Sequence, residues 1–166
     1  MSLLFRLLAV VTLLGVAAVP AMAFSADQLD IRVQNNGDAE ITFGYTLSWL
    51  EYIAVYLHIA DPGKELKSAL EPNLHRPVTV ASMNTRATKL EITRFAVVST
   101  FNGTTTLVTP ALSFTEAEKI LTGYWFAPLV QPDFSPATTT VTFPDGYVRT
   151  FEETESIPPV VHVLGS

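Results

Sequence analysis

The chain carries three histidines, His58, His75 and His162, and these are the first places to look for chemistry. A metal-binding helix would hold two of them four apart, as in H-x-x-x-H or H-E-x-x-H, so that both rings share one face. None of the three has such a neighbour. His58 stands three residues before Asp61, a spacing that suits a helix-end contact. A zinc site of two histidines and a carboxylate would have to be assembled from distant segments. Cysteine is absent, which removes thiol catalysis, disulfide exchange and cysteine-rich zinc sites. The stretch "NNGDAE" offers Asn35, Asn36, Asp38 and Glu40, but it lacks the D-x-D-x-D-G order and the twelfth-position glutamate of a calcium loop. Glu152, Glu153 and Glu155 form a solvated acidic run. There is no G-x-S-x-G, no S-x-x-K and no glycine-rich phosphate loop. A Ser-His-Asp triad can still be built from remote positions, so a hydrolase with a tertiary-assembled site stays as a third reading. The sequence assigns no catalytic residue, no metal ligand and no cofactor.

One triplet does have a defined meaning outside the cytoplasm. Asn102-Gly103-Thr104 matches the N-glycosylation sequon. Asn-Gly between two β-branched runs is also a hairpin signal, because both residues accept a positive φ. The same residues thus explain a turn and mark Asn102 as a candidate glycosylation site.

Two aromatic groups come next. "FTEAEKILTGYWFAP" places Ala117, Ile120, Leu121, Tyr124 and Trp125 on one helical stripe. Glu118, Lys119 and Thr122 lie opposite. Tyr124 and Trp125 therefore face a sheet as core, with Phe126 just beyond. The functional alternative makes Tyr124, Trp125 and Phe126 the wall of an apolar ligand cleft between helix and sheet. "SWLEYIAVYLHIA" is apolar around most of its circumference, and Ser48 with Glu51 forms a capping box. Such a helix needs cover on two sides. Trp49, Tyr52, Ile53 and Tyr56 are accordingly a candidate partner surface.

These groups have to be positioned by the rest of the chain. Met1 to Arg6 is a charged start, Leu7 to Val19 an apolar run, and Ala21-Met22-Ala23 an A-x-A site, the layout of a secretory signal peptide over residues 1–23. Kept uncleaved, the same run would be a membrane anchor, although it is short of the roughly 20 residues a span needs. Cleavage leaves 143 of 166 residues, one domain by size. Arg6 leaves with the signal, so the formal charge moves from −6 to −7. No basic cluster remains for nucleic acid. An anionic membrane surface is disfavoured for the same reason.

Alternation predicts a hairpin over 28–34 and 39–47, turning at Asn35-Asn36-Gly37-Asp38. A helix follows from about 49 to 60. Asp61 as N-cap and Pro62 in the first turn start a second helix, which Pro72 ends at Glu71. Strands fill 77–112, with "KLEITRFAVVSTF" as one long strand. The aromatic helix comes next, and then a hairpin turning at Pro144-Asp145-Gly146. The tail after about 153 is acidic and proline-rich and reads as loosely ordered. The order is ββ-αα-βββ-α-ββ. The expected class is α+β, an antiparallel sheet built from hairpins with helices packed on one face.

The segments "LSWLEYIAVYLHIADPGKELKSALE", "TPALSFTEAEKILTGYWFAP" and "TFPDGYVRTF" resemble small exported proteins of unassigned function from methanogenic archaea. The resemblance implies a place outside the cytoplasmic membrane and carries no active site. The functional expectation is an exported, non-enzymatic binding module of the envelope, secreted or on the outer face of the membrane, that meets a protein partner or a second copy of itself. The alternative is a carrier of an apolar small molecule or lipid.

Overall fold

The computed structural model describes residues 25–47, 61–115, 119 and 135–165. The signal segment and the helix expected over 49–60 lie outside them. So does nearly all of the helix expected over 115–126.

The first hairpin forms where turn chemistry places it, with β1 (Ser25–Val33) and β2 (Ala39–Thr46). In the turn, Gln34 N–H donates to the Asp38 carbonyl at 2.8 Å and Gly37 N–H to the Gln34 carbonyl at 3.0 Å. The Asn36 side-chain oxygen accepts from Asp38 N–H at 3.0 Å, an Asx turn. Gly37 has φ +84, and a Cβ there would lie 2.4 Å from the Ala96 carbonyl oxygen. Only glycine fits that approach.

Helix α1 (Pro62–Leu74) starts as expected, since the Asp61 side chain caps Lys64 N–H at 3.1 Å. It runs through Pro72 and stops at His75, which takes the left-handed conformation (φ 51) and donates its N–H to the Glu71 carbonyl. The stop is thus set by the His75 cap, not by Pro72. Beyond it run β3 (Val78–Met83), β4 (Ala87–Ile92), β5 (Val97–Phe101), β6 (Thr104–Val108), β7 (Leu112–Ser113), β8 (Thr138–Thr142), β9 (Val148–Glu152), β10 (Ser156–Ile157) and β11 (Val161–Val163).

Six strands form the main sheet in the order β3-β4-β2-β1-β8-β9. Cross-strand rows keep one face apolar. Val78, Ile92, Ala39 and Val33 make one row, and Val80, Leu90, Ile41, Ile31 and Val141 the next. Most of these side chains are buried, each valine, leucine or isoleucine among them contributing about 1.5–3 kcal/mol by leaving water. A register shift between Ala26 and Gln28 puts Ala26 on the buried face as well. The alternate positions, among them Asp30, Arg32, Glu40, Thr42, Lys89 and Glu91, face out. Buried polar groups are paired: the Tyr45 hydroxyl donates to the Asn84 carbonyl at 2.6 Å and sits 3.3 Å from the Thr88 hydroxyl. Burial pushes the Tyr45 hydroxyl pKa up.

The α+β expectation is overturned. The structure is mostly β, 53% strand against about 10% helix, with three sheets and one short helix among the described residues. That helix meets chiefly the edge strand β3, with Gly63 against Val80 and Met83. The core over the main sheet is completed instead by the three-stranded sheet β11-β6-β5 and the pair β10-β7, whose Leu107, Leu112 and Ile157 join the same buried cluster. A sheet face needs cover, and strands supply it here as well as helices would.

Two local features explain the difference. "KLEITRFAVVSTF" is not one strand: it turns at Thr93-Arg94, with Arg94 at φ 54, and crosses from one sheet to another. That corner is tied to the first hairpin, because Arg94 N–H donates to Asp38 Oδ1 at 2.7 Å and Ala96 N–H to the Gly37 carbonyl at 2.8 Å. The main sheet is also not purely antiparallel, since β1 and β8 pair in parallel. Finally, the segment after 153, expected to be loosely ordered, is paired. β10 binds β7, β11 binds β6, and Ile157 is buried.

Candidate functional site

The carboxyl-terminal strand β11 is where burial and exposure meet. It alternates Val161, His162, Val163, so His162 points inward and the two valines outward. Opposite it on β6 stand Val108, Leu107 and Thr106, and on β5 beyond them Val97, Val98 and Ser99. Leu107 is fully buried on the inner face.

On that inner side His162 closes a small cluster. Its ring stacks on Tyr147 at 4.2 Å between centroids and 6° between planes, and lies 4.8 Å from Phe143. Nε2 donates to Asp145 Oδ2 at 2.8 Å, because an ionised carboxylate can only accept. Asp145 belongs to the Pro144-Asp145-Gly146 turn, where Gly146 takes φ +85. Its carboxylate also accepts from Tyr147 N–H at 3.2 Å and Gly165 N–H at 3.2 Å. The hydrogen bond from His162 is the main cause that holds the Asp145 pKa down at about 2, with the two backbone N–H groups adding to it against partial desolvation.

An Asp–His pair supplies two of the three members of a hydrolytic triad. Among the described residues no serine or threonine hydroxyl hydrogen-bonds the His162 ring, and no three His, Cys, Asp or Glu side chains gather as metal ligands. The bonds that exist tie β11 to the β8–β9 turn. The arrangement works as a clamp on the last strand. His75 serves as the α1 cap, and His58 lies outside the described residues.

The outer side of the same sheet has a different character. Val97, Val108 and Val161 form one row across the three strands, and Ser99, Thr106 and Val163 the next. Val97 is 56% exposed, Val161 64% and Val163 50%. No charged residue stands in either row. Four of the six side chains in these two rows are valines, a larger share of apolar residues than a solvated strand face needs. At the sheet's far end Asn102 and Gly103 form the two-residue tip of the β5–β6 hairpin, with φ 49 and 79, and both are exposed. The hairpin expected there is present.

Trp49, Tyr52, Ile53 and Tyr56, and likewise Tyr124, Trp125 and Phe126, lie outside the described residues. The clamp and the valine face were missed by sequence reasoning, although "VVHV" alternates and "PDG" marks a turn. The acidic run and Pro158-Pro159 before it made the tail look unstructured. Comparison with protein-family models, with curated proteins and with solved structures finds no match to this chain. Among the described residues no helix is long and apolar enough to cross a membrane.

Proposed function

We propose that this protein is an exported, non-enzymatic binding module of the cell envelope that docks a protein partner on the outer face of its three-stranded sheet. The observation that carries the reading is the uncharged row Val97–Val108–Val161, its two outer valines exposed and Val108 half-buried, on a chain of net negative charge. Each valine left in water forgoes about 1.5 kcal/mol or more that burial would supply. The partner surface that fits is itself apolar and uncharged, since a charge buried there would meet no counterpart. The sequon and the signal-like start support a destination outside the cytoplasm, secreted or on the outer membrane face. The use of His162 and Asp145 as a clamp supports binding over hydrolysis.

The reading is tested by site-specific photo-crosslinking in the producing cell. A photoreactive side chain at Val161 or Val97 should give a discrete cross-linked species. The same group at Thr42 or Thr140, on the outer face of the main sheet, should give none. Cross-links from Thr140 alone, or from neither face, would sink the proposal.

A further inference from the structure

The most exposed of the large apolar side chains described is not one of the valines. Phe101, at the end of β5, is 76% exposed. It has no place in the core and sits at the hairpin tip, one residue before Asn102. We propose that Asn102 carries an N-linked glycan, and that Phe101 is the platform on which its first sugar rests. Phe101 stands on the same outer face as Val97 and Ser99, one row beyond them; apart from that and the premise of export, the proposal does not rest on the partner.

Asn102-Gly103-Thr104 is the single N-x-S/T triplet in the whole sequence. A sequon alone arises easily by chance. Here its surroundings are those an acceptor needs. Asn102, Gly103 and Thr104 are all exposed. A Cβ built on Gly103 would meet nothing within 4 Å, so the tip stands in open space. The tip has two residues, both at positive φ, the geometry of a tight primed turn. Phe101 and Thr104 are the pair that flanks it, directly opposite each other and therefore on one face.

That juxtaposition gives Phe101 a partner. Consecutive Cα atoms are about 3.8 Å apart, so a sugar on the Asn102 side chain comes within reach of the neighbouring ring. The C–H face of a pyranose is weakly positive, and the face of an aromatic ring is negative. Stacking also removes apolar area of the ring from water. The Thr104 hydroxyl is the sequon group that a transferase reads, and Thr104 stands directly across the strand pair from Phe101. The chemistry needs a polyprenyl-phosphate-linked oligosaccharide as donor. The Asn102 amide nitrogen bonds to the anomeric carbon, the bond from that carbon to the phosphate oxygen breaks, and the polyprenyl phosphate leaves with the electron pair. The amide gives up one proton to a base of the transferase.

The test uses the full chain secreted from a host that has N-glycosylation, with mass spectrometry of the tryptic peptide 95–119. The expected result is a glycan mass on Asn102, lost in Asn102→Gln and in Thr104→Ala. The platform is read separately, by comparing the glycosylated chain with the same sequence made in a bacterial periplasm without the machinery. The glycan should raise Tm by roughly 2–4 °C in the wild-type chain and by nearly nothing in Phe101→Ser. Unmodified Asn102 on protein recovered outside the cell overturns the proposal and leaves export standing. A chain retained inside the cell overturns both. A modified Asn102 whose glycan stabilises Phe101→Ser equally overturns the role of Phe101.

Discussion

The two sheets turn opposite kinds of surface to water. The outer face of the six-stranded sheet carries Asp30, Arg32, Glu40, Lys89 and Glu91 among threonines, with Lys89 3.9 Å from Glu40. The outer face of the three-stranded sheet carries valines and no charge in its two central rows. Both put side chains into one shared core, the three-stranded sheet through Leu107 of β6, while β5 at its edge is exposed throughout. Under the proposed function, the difference lies in what each outer face meets. A charged, mixed face solubilises and discourages edge and face contacts. A valine face is a liability unless something covers it.

The sharpest way to break the pairing of the two sheets is at their seam. Gly37→Ala would drive a methyl group into the Ala96 carbonyl and force a non-glycine residue to φ +84. The expected loss is about 2–3 kcal/mol, read by urea denaturation, with Ala96 N–H losing its protection from exchange. A smaller effect tests what holds β11, and with it two of the four valines on that face. Asp145 has its carboxyl pKa lowered from 3.8 to about 2 on folding. A depressed carboxylate contributes stability that is fully present above its unfolded pKa and is lost as pH falls through the folded value. Acid should therefore weaken the clamp between about pH 4 and pH 2. Asp145→Asn should be less stable than wild type at neutral pH and should show a flatter stability profile in that window, followed by circular dichroism. The smallest effect separates the two faces directly. Val161→Thr and Thr140→Val exchange their characters one residue at a time. Each should change stability by less than about 0.5 kcal/mol, Val161 being exposed and Thr140 half-exposed on an outer face. Only the first should weaken cross-linking from Val97. Equal losses from both variants would show that the two faces do not differ in use.

Local turn chemistry was legible in the sequence. Asn35-Asn36-Gly37-Asp38, Asn102-Gly103 and Pro144-Asp145-Gly146 all turn where expected, because φ > 0 is a property of single residues. Asp61 as a cap was legible for the same reason. The architecture was not. Whether "KLEITRFAVVSTF" continues or turns depends on Asp38, 56 residues upstream of Arg94, accepting a backbone N–H at the corner. β4 alternates Leu90 and Ile92 with Lys89 and Glu91 and so shows its buried face, whereas VVSTF of β5 has no period, and its β-branched composition predicts a strand but not that the strand is exposed throughout. The clamp was hidden in the same way. His162 and Asp145 lie 17 residues apart, and nothing in either neighbourhood names the other. Asn102 was legible as a sequon, whereas the meaning of Phe101 needed its exposure.

The parallel pairing of β1 with β8 carries a kinetic consequence. Ile31 lies beside Val141, so the centre of the main sheet joins two ends of the polypeptide. The β1–β2 and β8–β9 hairpins can each zip early, being local, but their union must wait for a long loop to close. A ribosome or a translocon delivers β1 well before β8. During that interval one flank of β1 stands with its amides and carbonyls unsatisfied, and the nascent chain is at its most vulnerable to pairing with the wrong strand.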